Sequence, residues 1–240
     1  MTNPSPELVE IRRADQRFHT RLDWLDSWHS FSFGPHRDPT NVRHGLLVVN
    51  NDDTVRGGGG FATHAHRDME IVTWVVSGEL EHHDSAGNDG IIYPGLAQRM
   101  SAGSGIRHSE RNPSSDRDVH FVQMWVVPDT EGVPPSYQQL DINAELARGQ
   151  LVPIASGAGD DTAISLHQRQ ATLLGGRLPP GGTGVVPDAP HVHVFVARHE
   201  ASLEGAGELA AGDAVRLTEA GARRLDAGPA GVEVLVWATA

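Results

Sequence analysis

The sequence has 240 residues, no cysteine and a formal net charge of −12 with histidine neutral. This length suits one large domain or two of about 120 residues. The absence of cysteine excludes disulfides, thiolate metal sites and cysteine nucleophiles. The acidic balance disfavours a nucleic-acid partner, because phosphate binding needs a basic surface. The 27 glycines and 15 prolines favour a turn-rich, all-β chain over a helical bundle.

The amino terminus lacks the apolar stretch that forms the centre of a secretory signal peptide. No run of about 18 apolar residues occurs in the sequence, so no membrane-spanning helix is expected. A cytoplasmic protein with no membrane partner is therefore predicted.

Short apolar or alternating runs, separated by turn residues, predict a series of β-strands in the first half of the chain. These runs cover residues 8–11, 45–50, 70–76, 79–84, 91–93 and 120–127. The segment 18–33 is rich in aromatic residues, and in its C-terminal half Trp28, Phe31 and Phe33 fit neither a clean helix nor a clean strand. We interpret the segment as a loop whose aromatic side chains cap the core, with the alternative that some of them line a ligand pocket.

A change of composition follows these strands. Residues 128–137 hold three prolines and no periodic pattern, which indicates the start of a connection between two domains. A short helix is predicted over 140–146. Strands resume afterwards, most clearly at 171–178, 192–198 and 232–238, with a hairpin near 205–212. The sequence therefore predicts a first domain over 1–127, a connection over 128–150 and a second domain over 151–240.

Four residues in the first domain have the spacing of metal ligands. His64 and His66 are two residues apart, as are His108 and Glu110. Because side chains two apart on a strand point to the same face, each pair projects together. Convergence of the two strands would bring three imidazoles and a carboxylate to one point. Glu70 competes with Glu110 as the fourth ligand, and spacing alone does not decide between them.

This ligand set predicts a site for one divalent transition metal. Imidazole suits Fe, Cu, Ni or Zn, and a carboxylate adds a hard anionic ligand. Fe(II) is the first choice, with Cu, Ni, Mn and Zn as alternatives. The other polar residues near this stretch, His82, His83, Asp84 and His120, are interpreted as surface or structural. The pair His191 and His193 repeats the spacing in the second domain, but no later partner follows, so no metal site is expected there.

These spacings resemble the two sequence motifs of the cupin superfamily. Two differences are that seven residues rather than six separate Glu70 from Gly78, and that Gly103 stands where proline is usual. More specifically, the chain resembles the pirin family of bicupins. The resemblance is carried by WHSFSFG at 28–34, by HAHRDMEIVTWVVSGELEHHDSAGN at 64–88, and by MSAGSGIRHSE at 100–110.

The resemblance implies two tandem cupin (jelly-roll type) β-barrels with metal in the first one only. It also implies metal ligands at His64, His66, His108 and Glu110, with Glu70 outside the ligand set. Pirin-like proteins include quercetin 2,3-dioxygenases, which open the heterocycle of a flavonol with O₂ and release carbon monoxide. They also include non-enzymatic regulators whose metal or redox state tunes binding to a protein partner. Family membership leaves these alternatives open.

As an enzyme, the protein would take a flavonol and O₂ as substrates. The 3-hydroxyl of the flavonol would bind the metal as its anion. Glu110 or Glu70 would accept the hydroxyl proton as a general base. Phe61, Met100 and some aromatic residues of 28–33 are predicted to supply apolar walls.

Overall fold

The protein is described by a computed structural model that covers residues 8–159 and 164–240. Almost all regular structure is β, which confirms the all-β prediction. The strands up to residue 141 are β1 (Leu8–Arg12), β2 (Phe18–Arg21), β3 (Leu25–His29), β4 (Leu47–Val55), β5 (Gly60–His66), β6 (Glu70–Ser77), β7 (Leu80–Asp84), β8 (Asp89–Ile92), β9 (Leu96–Ser101), β10 (Ile106–Arg111), β11 (Val119–Val126) and β12 (Ser136–Asp141).

The later strands are β13 (Val152–Ser156), β14 (Ile164–Ser165), β15 (Ala171–Leu178), β16 (Thr183–Val186), β17 (His191–Leu203), β18 (Gly207–Ala210), β19 (Ala214–Thr218) and β20 (Arg223–Thr239). The described helical segments are a 3₁₀ turn at Ala14–Gln16 and the helix α1 at Asn143–Leu146. Neither described helix is long and apolar enough to cross a membrane.

The first barrel consists of two sheets. The larger has seven strands in the order β12-β9-β6-β11-β4-β3-β2, and the smaller has four in the order β5-β10-β7-β8. Alternate residues of these strands point inward and form an apolar interior. That interior contains Leu25, Val55, Val75, Leu80, Ile92, Leu96, Val119 and Phe121.

The second barrel is a continuous nine-stranded sheet along the path β1-β19-β17-β20-β15-β13-β14, with β16 paired to β20 and β18 paired to β17. The long strands β17 and β20 change partners along their length, and register shifts near Val196 and His199 interrupt their pairing. Such irregularities bend a strand, so one strand serves both layers of the barrel. The prediction of two tandem cupin barrels is confirmed.

The two barrels pack sheet against sheet through one apolar core. Strand β6 is buried on both faces. Its residues Val72, Trp74 and Val76 pack in the core between the barrels, whereas Val75 points into the first barrel. The period of two therefore makes β6 a wall shared by both cores.

Several elements differ from the sequence-based expectations. The aromatic segment 18–33 is not a loop, because β2 and β3 form a hairpin that continues onto β4. The predicted helix over 140–146 is confined to Asn143–Leu146. Within the predicted connection, β12 pairs with β9 of the first barrel. At the other end of the chain, β1 pairs with β19 of the second barrel.

These two pairings concern residues near the ends of the predicted domains, and the exact domain boundaries stay a prediction. Strand β12 adds residues after 127 to the first barrel, and β1 adds residues near the amino terminus to the second. Sequence periodicity identifies a strand but not its pairing partner, so neither assignment was readable from the local pattern.

Candidate metal centre

Three histidines meet where β5 and β10 lie side by side. These strands are antiparallel, with His108 opposite His64 and Ile106 opposite His66. One ring nitrogen from each histidine lies within 4.8 Å of the others. Nε2 of His64 and Nε2 of His108 are 3.1 Å apart. The structure thus brings together the three imidazoles that strand spacing predicted.

An irregularity in β5 sets the orientation of His64. Between His108 and Glu110 the register shifts, so that Ala62 and Thr63 of β5 oppose Ser109 alone. Nδ1 of His64 lies 2.8 Å from the carbonyl oxygen of Ala62. A carbonyl only accepts, so Nδ1 carries the proton and Nε2 keeps its lone pair. Bulges of this kind re-aim side chains beside functional sites.

The donor set fits a divalent transition metal on three observations. Nε2 of His66 is buried and has no hydrogen-bond partner among residues 8–159 and 164–240. The 3.1 Å separation of the His64 and His108 nitrogens is close to the roughly 3 Å expected for two nitrogens about 2.1 Å from one ion. Burial lowers the pKa of His66 to about 4 and of His108 to about 2, so both rings are neutral at pH 7, as metal ligands must be.

Glu110 lies beside this cluster, buried in the barrel. Its carboxylate accepts hydrogen bonds from Nε2 of Gln123 at 2.9 and 2.8 Å. Trp125 donates to the amide oxygen of Gln123 at 3.2 Å, which fixes the orientation of that amide. Burial raises the pKa of Glu110 to about 7, and the bond from Gln123 offsets part of that effect. A second group of potential ligands, overlapping the first, joins Glu110 to His108 and His82.

Glu70 is not brought to the three histidines. It shares a face of β6 with Val72 and Trp74 and lies between the barrels, 1% exposed. Its carboxylate accepts from the Ser101 hydroxyl at 2.8 Å and from the backbone N–H of His167 at 3.1 Å. The turn between β5 and β6 interrupts the alternation of side chains, because Asp68 has a φ of 47°. Glu70 therefore does not share a face with His66, although it is four residues away.

The neighbouring polar residues fall into two groups. His83 is half exposed and pairs with Asp89, and His120 pairs with Asp52. In contrast, the side chains of His82 and Asp84 are completely buried and contact each other at 3.2 Å. The sequence analysis interpreted His82, His83, Asp84 and His120 alike as surface or structural residues. The available signal was the His-x-Asp spacing of residues 82 and 84, which places both on the inward face of β7.

A cavity of about 420 Å³ opens at the cluster and is lined by His64, His66 and Glu110. Its apolar lining consists mainly of aromatic and aliphatic side chains: Trp24, Leu25, Phe33, Pro35, Phe61 and Trp125. Trp24 and Phe61 pack edge to face, with ring centroids 5.1 Å apart. This size and character are typical of binding sites for small molecules.

The predicted walls are only partly those observed. Phe61 and Phe33 line the cavity. Met100 does not, because it packs with Ile71, Ala102 and Ile106 in a separate cluster. Trp28 stacks on His19 instead, with ring centroids 3.9 Å apart. The remaining aromatic residue of this segment, Phe31, is buried in the core between the barrels.

Polar residues at another part of the cavity wall were not singled out by the sequence. Ser27 donates to the buried carboxyl group of Asp53, and Nδ1 of His29 lies 2.9 Å from Oδ1 of Asn51. Burial raises the pKa of Asp53 to about 8, so this carboxyl is largely neutral at pH 7. The four residues come from the adjacent strands β3 and β4, and only the strand pairing reveals that they are neighbours.

In the second barrel, His191 and His193 lie on β17, opposite Thr239 and Trp237 of β20. His193 is 1% exposed. Within the described part of the chain, the groups of residues that could hold a metal include neither of them.

The tandem barrels define the protein as a bicupin. Residues 11–126 match the sequence model of the family described as Pirin. The chain is 60% identical over 230 residues to Rv0181c of Mycobacterium tuberculosis, covering 95% of this chain and 94% of that protein. Rv0181c carries the name quercetin 2,3-dioxygenase provisionally. The chain therefore belongs to the pirin family.

Two further comparisons are with Escherichia coli, one by sequence and one by structure. A protein named quercetin 2,3-dioxygenase is 43% identical over 161 residues, covering 67% of this chain and 68% of that protein. The crystal structure of the bacterial pirin YhhW in complex with nickel(II) superimposes with a TM-score of 0.87 at 34% identity, covering 96% of this chain and 98% of that one.

Proposed function

We propose that this pirin is a metal-dependent dioxygenase that opens the oxygen heterocycle of flavonols such as quercetin. The observation that carries the proposal is the position of the three histidines and Glu110. His64, His66 and Glu110 line a cavity of about 420 Å³ that also carries the aromatic side chains of Trp24, Phe33, Phe61 and Trp125, and His108 lies against His64 on the neighbouring strand. The names of the mycobacterial and E. coli relatives support the same reaction.

His64, His66 and His108 would hold one divalent transition metal, with Glu110 as the fourth ligand. Fe(II) is our first choice on ligand type, and Ni(II), Cu, Mn and Zn are the alternatives. The nickel(II) complex of YhhW supports a divalent ion in this fold. When bound, such an ion supplies Lewis acidity, which favours the ionised form of a coordinated substrate hydroxyl.

The residues of the chain would bind and orient the flavonol. Trp24, Phe61 and Trp125 offer flat apolar surfaces against which its rings can stack. They also exclude water from the reacting end of the cavity. Glu110 would accept the proton of the 3-hydroxyl group, and Gln123 would hold the carboxylate in place while it does so.

Glu70, the other candidate base in the sequence, is unsuited to this role. Its carboxylate lies at the interface between the barrels, where it accepts from Ser101 and His167, and it does not line the cavity that Glu110 lines. A general base must reach the proton that it removes. We therefore assign proton acceptance to Glu110 alone.

The test is aerobic incubation of purified protein, loaded in turn with each candidate metal, with quercetin. The expected result is loss of the flavonol absorbance with one carbon monoxide released per quercetin consumed. His64→Ala should abolish this reaction. His83→Ala, which removes a half-exposed histidine of the same barrel, should leave it unchanged.

No consumption of quercetin with any of these metals would contradict the dioxygenase proposal. In that case, metal-dependent capture of a protein partner would be the next measurement, because a non-enzymatic regulator is the alternative function of a pirin.

A further inference from the structure

The four-stranded sheet places two buried polar residues beside the metal cluster on the side away from His64. Strand β10 lies between β5 and β7. His108 is therefore flanked by His64 on one strand and by Asp84 on the other. In the next row, Glu110 is flanked by His82. His82 thus lies diagonally across from His108, at a distance that two histidine side chains can span.

Asp84 acts only as a hydrogen-bond acceptor. Its carboxylate accepts from the backbone N–H groups of Ala86 and Asn88 at 2.9 and 3.0 Å. It also accepts from the side-chain amide of Asn88 at 2.9 Å. Nε2 of His82 lies 3.2 Å from the same group. Because a carboxylate surrounded by donors carries no proton, Nε2 of His82 must be the donor of this contact.

This donor fixes the rest of the chain of contacts. In a neutral imidazole, the nitrogen without the proton is an acceptor, so Nδ1 of His82 carries a lone pair. Nδ1 of His108 lies 3.5 Å from it, a long contact that is favourable when Nδ1 of His108 carries the proton. Nε2 of His108 is then left with its lone pair, and it is this atom that faces Nε2 of His64.

We propose that Asp84 and His82 are positioning residues that fix the tautomer and ring orientation of His108, so that its Nε2 is free to bind the metal. The inference rests on the proposed metal site. A carboxylate acting through one histidine on a second, metal-binding histidine is a longer version of the common carboxylate–histidine–metal arrangement.

The surroundings of His82 hold it in this role. Its ring is inaccessible to solvent and stacks on Tyr137, with centroids 4.9 Å apart and planes inclined by 30°. Tyr137 belongs to β12, which pairs with β9 in the seven-stranded sheet, whereas His82 lies in the four-stranded sheet. The ring of His82 is therefore confined from one side by Tyr137 and from another by Asp84.

The test compares three variants by the affinity for Zn(II) alone, measured by competition with a chelator. His82→Phe keeps a ring but removes both nitrogens, so affinity should fall about 10- to 100-fold. His82→Gln offers an amide N–H to Asp84 and an amide oxygen to His108, so affinity should stay within about threefold of the wild type. His83→Phe alters the exposed neighbour on the outer face and should change nothing.

A second measurement does not depend on any variant. Ring-nitrogen NMR of the metal-free wild type should show His108 protonated at Nδ1. Protonation at Nε2 would overturn the proposal, as would wild-type affinity in a folded His82→Phe protein. An equal loss of Zn(II) affinity in His82→Phe and His82→Gln would indicate that His82 is a metal ligand instead of a positioning residue.

These outcomes separate the inference from the proposed function. Wild-type protein that binds Zn(II) but does not consume quercetin with any metal would contradict only the dioxygenase. Wild-type protein that consumes quercetin but has His108 protonated at Nε2 in its metal-free form would contradict only the inference about His82 and Asp84.

Discussion

His193 is a buried polar residue that the proposed chemistry does not use. Neither of its ring nitrogens has a hydrogen-bond partner among the described residues. It packs near Phe31, over which the guanidinium group of Arg216 is stacked at 4.5 Å. Burial, reinforced by the nearby charge of Arg216, lowers the pKa of His193 well below its ordinary value. A buried, unpaired polar group of this kind reduces stability.

Replacing His193 by leucine should therefore raise the free energy of unfolding by about 1–3 kcal/mol at pH 7.5. The gain should grow at lower pH. Because the native pKa is depressed, the unfolded chain binds more protons below about pH 6.5, and the wild type loses stability as pH falls. Between pH 7.5 and 5.5 the difference should increase by about 1.4 kcal/mol.

Urea unfolding of both proteins at the two pH values measures this difference. A variant that is less stable than the wild type, or a stability difference that is the same at both pH values, would contradict this account of His193.

At the scale of single residues, the period of two was sufficient to predict that His64 and His66 share a face of their strand, as do His108 and Glu110. Their convergence depends on the pairing of the two strands and was predicted through the resemblance to the cupin motifs. The contribution of His82 and Asp84 was not predictable in the same way. Their spacing shows that they share a face, but their contact with His108 depends on which strand lies next to β7.

At the scale of the element, β6 explains why two glutamates near the site differ in role. The residues on one face of β6 pack inside the first barrel, and those on its other face pack in the core between the barrels. Glu70 is on the face toward the second barrel, whereas Glu110, on β10, lines the cavity. The turn at Arg67–Met69 separates β5 from β6, and sequence spacing cannot be counted through a turn.

Glu70→Gln and Glu110→Gln form a matched pair that tests this division. Glu70→Gln should keep full metal content but lower the free energy of unfolding by about 1–3 kcal/mol, because the donors of Ser101 and His167 lose a charged acceptor. Glu110→Gln should weaken metal binding by at least about tenfold. Elemental analysis and chemical denaturation measure the two effects, and loss of metal in Glu70→Gln would contradict the assignment.

One local feature near the site follows from the loop before β10. Gly103, which stands where the cupin motif has proline, has φ 46°, and a proline cannot adopt that angle. A Cβ at this position would approach the carbonyl oxygen of Val133 within 2.0 Å. The departure from the motif is thus explained by a close approach of the 128–137 segment, which only the folded structure reveals.

At the scale of the whole molecule, the barrels share a core instead of forming independent units. Trp74 is 1% exposed in that core, and its indole N–H donates to Glu233 of the second barrel at 2.8 Å. Composition and turn spacing predicted an all-β chain in two domains, and the resemblance to the pirin family implied that each domain is a cupin barrel. The large face between them was not predictable, because a strand buried on both sides has no distinctive alternation.

The shared core predicts that both barrels unfold together. Calorimetry should show one transition, with equal calorimetric and van't Hoff enthalpies. Trp74→Ala should lower the free energy of unfolding by about 3–5 kcal/mol, whereas Leu22→Ala, at a half-exposed position, should change it by less than about 0.5 kcal/mol. Two separate transitions in the wild type would contradict a common core.

The central claim is that His64, His66, His108 and Glu110 form a site for one divalent metal. Elemental analysis of the purified wild type and of His108→Ala, with His83→Ala as the control, tests it most directly. The wild type and the control should each contain about one transition-metal ion per chain, and His108→Ala less than about a tenth of that. Equal metal content in His108→Ala and the wild type would contradict the claim.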